Sequence, residues 1–218
     1  VTLVRCSGLL PGGMPFSIPE SDDPPPTRSV EGHFEAAAES LDVYLGVGLK
    51  RPGASNVAMN GVEGSRPARF RSDTMKVTDE TAGENEREVA VTQQNLKILF
   101  GEEALTDYET LKIAELRRTG QGVIALRETY IPPCLRLEAS SFLQGMTLRL
   151  LEILHAKCTS LGESRGQRTQ GLADFSTADV ANFWLLHTVN SFIPVLDHHH
   201  HSGRTHPERL FLGHRRNY

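Results

Sequence analysis

The sequence predicts an α+β protein in which an antiparallel β-sandwich is followed by a helical hairpin or bundle. Short apolar or alternating runs separated by Gly, Pro, Asn and Asp fill residues 1–132 and are typical of antiparallel strands. Apolar residues at three- and four-residue spacing dominate residues 133–218 and predict helices. Pro132-Pro133 separates the halves, because proline fixes φ and removes a backbone donor. We therefore predict a β domain over residues 1–132 and a helical part over residues 133–218.

Strand patterns recur along the first half. Residues 41–49 alternate with a period of two, which predicts a strand with one buried face. Further strand candidates are residues 2–4, 89–91 and 96–100. Residues 111–116 and 120–126 predict a hairpin with a glycine turn. A sandwich or an irregular barrel is the expected result.

Three segments of this half predict loops. Residues 19–28 contain three successive prolines, and residues 51–67 are rich in Gly, Asn and Ser, so we expect both on the surface. Residues 73–86 concentrate acidic side chains, but their spacing does not fit the roughly 12-residue calcium loop of an EF-hand. We interpret this acidic segment as a solvated turn.

Two amphipathic helices are predicted in the second half. The first follows an N-cap candidate at residues 138–141 and ends near Gly162. The second begins at Ser176, with Asp179 in its first turn, and Pro194 is expected to stop it. Because each helix has an apolar face that needs a partner, we predict that they form an antiparallel hairpin.

Composition excludes several classes of protein. Lys and Arg total 23 against 27 Asp and Glu, a formal charge of −4, so we expect no nucleic-acid partner. The three cysteines Cys6, Cys134 and Cys158 form no CxxC pair, which argues against a disulfide framework or a thiolate zinc site and favours a reducing cytoplasm. No apolar run reaches the roughly 18 residues that a membrane span needs, so no membrane insertion is predicted.

The histidines are the main candidates for chemistry. His198-His199-His200-His201 and His206 could bind zinc, copper or nickel, but adjacent side chains point in different directions and do not converge on one ion. We therefore favour a solvated loop, and leave adventitious metal binding open. His155 and His187 lie in the predicted helices and are interpreted as packed or half-exposed side chains. We predict no catalytic residue, no cofactor and no functional metal site.

Several short elements, taken in order, resemble one known family. In the first half they are Phe70, Asp79-Glu80, residues 83–85, 95–96 and 111–115, and Tyr130-Ile131-Pro132-Pro133. In the second half they are Leu143, Leu151, Lys157, Leu161, residues 184–186, Asn190, and Thr205-His206-Pro207-Glu208 with Leu210. This combination resembles the TssK family of type VI secretion baseplate proteins.

The resemblance implies a fold, a location and partners. The β half would be a shoulder domain like that of phage receptor-binding proteins, and the helices would be part of a stem in which three copies pack together. The protein would be a cytoplasmic, trimeric, non-enzymatic adaptor that connects the baseplate wedge subunits to the membrane complex. His206-Pro207-Glu208 would start a further helix. The residues expected to pack within and between protomers are Phe142, Met146, Leu150, Ile153 and Trp184.

The resemblance is partial. The family continues to a carboxy-terminal head domain that meets the membrane complex, and it has a leading segment that is not seen before Val1. We therefore expect a fragment with shoulder and partial stem, without membrane-complex docking. Two alternatives stay open: a carbohydrate- or receptor-binding β module of phage-tail type, and a metal-dependent hydrolase that uses the histidine run.

Overall fold

The chain folds into two compact units, Val1–Arg127 and Glu128–Tyr218. The computed structural model describes residues 1–34, 38–58, 66–81, 83–101, 103, 105–168 and 176–210. Strands build the first unit and helices the second, which confirms the predicted α+β class. Pro132 and Pro133 lie in irregular backbone near the start of the second unit. A domain boundary at residue 132 remains a prediction.

The described strands of the first unit form three sheets. The first is the antiparallel pair of β1 (Cys6–Leu9) and β2 (Pro15–Ile18). The second contains four antiparallel strands in the spatial order β7 (Lys97–Phe100), β3 (Ser40–Gly48), β8 (Tyr108–Arg118) and β9 (Ile124–Leu126). The third contains β4 (Val57–Ala58), β5 (Phe70–Val77) and β6 (Arg87–Gln94), in which β5 pairs in parallel with β4 and antiparallel with β6.

The predicted hairpin of β8 and β9 is confirmed. Its strands pair from Leu116 opposite Leu126 to Arg118 opposite Ile124. Gly122 in the turn has φ 79°, a conformation that favours glycine. A local pattern of alternation and turn chemistry was therefore sufficient here.

Two strand predictions were wrong. The segment 73–86 was interpreted as a turn, but Asp73 to Val77 lie in β5, paired with β6. Most of this strand is exposed, so it lacks the apolar alternation by which strands are recognised. The first strand begins at Cys6 rather than within residues 2–4, because pairing with β2 determines its position.

β3 is buried on both faces in its second half, although its alternation predicted one buried face. Leu45 and Val47 lie in a core cluster, as the alternation requires. Gly46 and Gly48, on the other face, are covered: a Cβ on Gly46 would lie 2.6 Å from Leu99, and one on Gly48 would lie 2.6 Å from the Pro67 carbonyl. Close packing on these glycines, not hydrophobicity, buries the second face.

A buried ion pair connects the sheets of the first unit. The guanidinium of Arg69 donates from Nη1 to Glu109 Oε2 at 2.9 Å and to the Gly48 carbonyl at 3.1 Å. Glu109 also accepts a hydrogen bond from the Gly12 amide. The side chains of Arg69 and Glu109 are 8% and 12% exposed. Because Gly12 follows β1, Gly48 ends β3 and Glu109 belongs to β8, one charged pair holds separate parts of the sheet structure together.

A second ion pair makes the first unit sensitive to acid. Arg28 donates to Glu103 at 2.6 and 2.9 Å, and the Phe100 amide donates to the same carboxylate at 2.9 Å. The Arg28 hydrogen bonds, with that amide, lower the pKa of Glu103 below its ordinary value of 4.5. Because the pKa of Glu103 is lower in the folded state than in the unfolded state, the ionised carboxylate stabilises the fold at pH values above the unfolded-state pKa. This stabilisation is lost as the pH falls through the folded-state pKa.

We expect Glu103→Gln to reduce stability by about 1–2 kcal/mol near pH 7 and to flatten the loss of stability below about pH 4.5. The measurement is urea denaturation at several pH values. The control is Glu31→Gln, since Glu31 is exposed and its carboxylate makes no ion pair among the described residues. If the free energy of unfolding falls equally steeply with decreasing pH in Glu103→Gln and in the unmodified protein, Glu103 is not the source of the acid sensitivity.

Both helices of the second unit are longer than predicted. α1 spans Ser141–Arg168 and passes through Gly162, and α2 spans Thr177–Ser202 and passes through Pro194. The helix-stopping role assigned to Pro194 was wrong. Leu196, beyond the proline, is 4% exposed, and its burial favours continued helix. α2 ends instead at Gly203, whose φ of 59° is the left-handed conformation of a helix C-cap.

The predicted starts of the helices are confirmed. Ser176 accepts a hydrogen bond from the Asp179 amide, and the Asp179 carboxylate accepts one from the Ser176 amide, which together form a capping box. Ser140 accepts from the Leu143 amide at 3.3 Å. Within the described residues, neither helix is apolar enough over a sufficient length to cross a bilayer.

Candidate assembly surface on the helical hairpin

α1 and α2 pack antiparallel along a narrow seam. The segment before α1 reaches the segment after α2: the Leu137 amide donates to the Thr205 carbonyl at 2.8 Å, and the Glu138 amide donates to the Gly203 carbonyl at 3.0 Å. The hairpin prediction is therefore confirmed. The buried residues of the seam are Thr147, Leu151 and Leu161 on α1, and Val189 and Leu196 on α2.

A second set of apolar side chains on the same helices is exposed. On α2, Val180, Phe183 and Trp184 recur at three- and four-residue spacing. At about 100° per residue they lie far around the helix from the buried Val189. We use the name outer apolar face for two exposed sets, which lie on opposite sides of the Cys158–Asn190 contact along the hairpin: Met146 (53% exposed), Leu150 (37%) and Ile153 (56%) on α1, and Val180 (47%), Phe183 (47%) and Trp184 (59%) on α2.

The structure places the predicted packing residues outside the seam. Met146, Leu150, Ile153 and Trp184 belong to the outer apolar face, and Phe142 is half-buried. That these five residues pack within and between protomers stays a prediction. The sequence did not distinguish the residues of the seam from those of the outer apolar face, because apolar residues surround much of each helix. It also gave no indication that Thr147, one position after Met146, is buried, since threonine does not contribute to an apolar pattern.

Aromatic rings organise the α2 part of the outer face. The centroids of Phe183 and Trp184 lie 5.8 Å apart in an edge-to-face arrangement. His187 stacks on Phe183 at 6.5 Å and meets the edge of Trp184 at 5.9 Å. Exposed rings that already contact each other lose little side-chain freedom on binding, so this cluster is suited to an interface.

A polar contact crosses the hairpin near its middle. The Cys158 thiol donates to Asn190 Oδ1 at 3.0 Å. Because no neighbouring pair one turn away has the same chemistry, this contact favours one register of the two helices. The residues buried in the seam and the Cys158–Asn190 pair, which favours one register of the two helices, therefore occupy different positions on the hairpin.

The histidine run lies in α2, not in the solvated loop that was predicted. His199 Nδ1 lies 3.0 Å from Thr205 Oγ1, and His201 Nδ1 lies 3.2 Å from Asp197 Oδ1. Burial, with the nearby His198 and Arg209 charges, lowers the pKa of His199 and favours the neutral ring. No cluster of three or more His, Cys, Asp or Glu side chains that could hold a metal ion occurs among the described residues.

The predicted helix start at His206-Pro207-Glu208 is confirmed as far as the structure describes it. Residues 207–210 are helical, with proline in the first turn where its missing N–H is tolerated. The Glu208 amide donates to His206 Nδ1 at 3.2 Å. His155 and His187 were interpreted as packed or half-exposed side chains, but both are exposed on their helices.

Comparisons with known proteins give a consistent relationship. The family described as "Bacterial Type VI secretion, VC_A0110, EvfL, ImpJ, VasE" matches residues 1–216. The chain is 30% identical over 213 residues to the type VI secretion system baseplate component TssK1 of Pseudomonas aeruginosa, which covers 97% of this chain and 46% of that protein. The chain thus spans about half the length of this curated relative.

Solved structures show the same similarity. One is the TssK-TssF-TssG baseplate subcomplex determined by cryo-electron microscopy, with a TM-score of 0.79, 29% identity, and coverage of 95% of this chain and 64% of that chain. Another is the baseplate complex from the type VI secretion system, with a TM-score of 0.82, 31% identity, and coverage of 97% and 46%.

Proposed function

The chain belongs to the TssK family of bacterial type VI secretion proteins, and from this premise we propose that it is a structural subunit of the secretion baseplate. The observation that carries the proposal is the outer apolar face of the helical hairpin. Large exposed apolar patches on a protein mark interaction surfaces, because each buried Å² of apolar surface contributes about 25 cal/mol. Such a face favours association with another chain that covers it.

We assign the outer apolar face to contacts between identical copies. Helices with apolar residues on two separate faces pack against more than one neighbour. Within one chain, each helix packs along the seam against the other helix. In a bundle built from several copies, a helix of another copy is the second neighbour. The proposed assembly is a homotrimer in which Met146, Leu150, Ile153 and Trp184 pack between protomers, with Phe142 at the edge of this contact.

The proposed partners beyond the homotrimer are the baseplate wedge subunits. A similar protein is solved in a subcomplex with TssF and TssG, which supports an equivalent contact for this chain. The proposed role is structural rather than catalytic and is exerted in the cytoplasm, where a TssK subunit that carries the head domain links the wedge to the membrane complex.

Co-purification tests the wedge contact. The chain is coexpressed with the TssF and TssG counterparts of the same bacterium, and the TssG counterpart carries the affinity tag. We expect the chain to be recovered with both partners after a wash at moderate salt. The control is the same tag on an unrelated soluble protein. Failure to recover a chain that is soluble and has a folded circular dichroism spectrum would overturn the proposed function.

A further inference from the structure

Most of the length of α2 lacks charged side chains. Between Asp179 in its first turn and Asp197 near its end, the sequence contains no Asp, Glu, Lys or Arg, and His187 is the one side chain that can gain a proton near neutral pH. α1 differs, because it carries exposed charged residues such as Arg149 and Glu152. Depletion of charge is typical of the core of a protein interface, so the composition of α2 fits a helix that another chain covers.

His187 lies on the side of α2 that faces away from α1. It precedes the buried Val189 by two residues, which at about 100° per residue places it about 200° around the helix. The side chain is exposed, and its ring stacks on Phe183 and meets the edge of Trp184. His187 therefore lies beside the α2 set of the outer apolar face.

No charged group on α2 lies close enough to stabilise a proton on His187. Within the described part of the chain, its ring nitrogens take part in no hydrogen bond or ion pair. Asp179 and Asp197 lie about 12 Å and about 15 Å away along the axis, at about 1.5 Å per residue. Both separations exceed the roughly 10 Å over which exposed charges act in 0.1 M salt.

The charged groups of α1 do not face His187 either. The contact of Cys158 with Asn190 sets the level of the two antiparallel helices, so the α1 charges nearest to His187 along the hairpin are Lys157 and Glu163. They lie across the seam, whereas His187 is on the far side of α2. The ring is therefore neutralised by neither helix of its own chain.

Desolvation decides which form of His187 the assembled state prefers. Transfer of an unpaired charge from water into an apolar contact is strongly unfavourable, whereas a neutral ring is much easier to bury. The contacts with Phe183 and Trp184 already exist in the single chain, so any attraction between a cationic ring and these aromatic rings is not gained on association. The assembled state therefore binds fewer protons than the separated chains.

We propose that protonation of His187 controls self-association through the outer apolar face: copies associate when the ring is neutral and separate when it is charged. This inference rests on the proposed self-association and adds its regulation. A homotrimer contains three such rings, so up to three protons leave as it forms. By linkage, association strengthens as the pH rises and weakens as it falls.

Sedimentation equilibrium of the full chain at two pH values tests this regulation. An ordinary histidine side chain is about 90% neutral at about pH 7.5 and about 10% neutral at about pH 5.5. We expect the association constant of the trimer to fall at least about tenfold between these pH values, because charged rings must lose their protons first. Circular dichroism at both pH values shows whether the chain stays folded.

Three variants separate His187 from the other titrating groups. His187→Gln is uncharged at both pH values and is expected to lose most of the pH dependence. His187→Lys is charged at both and is expected to associate weakly at both. The matched control is His155→Gln, since His155 is exposed on α1 and lies outside the outer apolar face. We expect this control to keep the pH dependence of the unmodified protein.

The results distinguish this regulation from the proposed function. An association constant that is equal at the two pH values would overturn the inference, and so would an equal pH dependence in His187→Gln and the unmodified protein. Neither result affects the wedge contact, which is measured separately by co-purification. A chain that is monomeric at both pH values contradicts the proposed self-association and this inference together.

Discussion

Arg69→Ala is expected to destabilise the protein by about 3–5 kcal/mol, enough to unfold much of the first unit. The substitution leaves the Glu109 carboxylate, 12% exposed, without its cation, and it leaves the Gly48 carbonyl without one of its donors. A buried unpaired charge costs several kcal/mol, whereas the intact pair offsets its own desolvation. The measurement is urea denaturation followed by far-ultraviolet circular dichroism.

Arg51→Ala is the matched control for this prediction. Arg51 pairs with Asp107 at 3.5 Å, but the Asp107 side chain is 42% exposed, so the loss is expected to be below about 1 kcal/mol. A second variant, Arg69→Met with Glu109→Leu, is expected to recover part of the stability, because it removes both charges together. Equal losses in Arg69→Ala and Arg51→Ala would show that the buried pair does not hold the sheets together.

Trp184→Ser is expected to weaken formation of the proposed homotrimer by about thirtyfold or more. Tryptophan at the centre of an interface is often a hot spot, and its replacement commonly costs 2 kcal/mol or more of binding free energy. The side chain is 59% exposed in the single chain and contacts Phe183 and His187. Its removal therefore acts on association more than on the fold. Sedimentation velocity over a range of concentrations measures the shift from trimer to monomer.

Leu148→Ser serves as the control, because Leu148 is 46% exposed on α1 but lies about 200° around the helix from Leu150. We expect its trimer to dissociate at nearly the concentration of the unmodified protein. If both variants dissociate alike, the effect is a general loss of apolar surface. If neither does, the outer apolar face is not the trimer contact.

Local chemistry determined much of the helical unit. The helix start at Ser176, with Asp179 in its first turn, depends on hydrogen bonds within one turn, so the residue types alone were sufficient to predict it. The helix start at Pro207 was predicted from the family resemblance. The family relationship was also recognisable from short elements in order. The end of α2 was not predicted, because tertiary contacts such as the burial of Leu196 favour continued helix beyond Pro194 and are not visible in the local sequence.

The α+β class, the hairpin of β8 and β9, the two helices and the family were predictable from the residues alone, because each depends on local spacing, turn residues or short-range hydrogen bonds. Three-dimensional packing was needed to show which apolar residues form the seam and which form the outer apolar face, and that Arg69 and Glu109 meet in the interior. These features join residues far apart in the chain. Their energies depend on burial and on the approach of separate strands and helices, and no local pattern of residues contains that information.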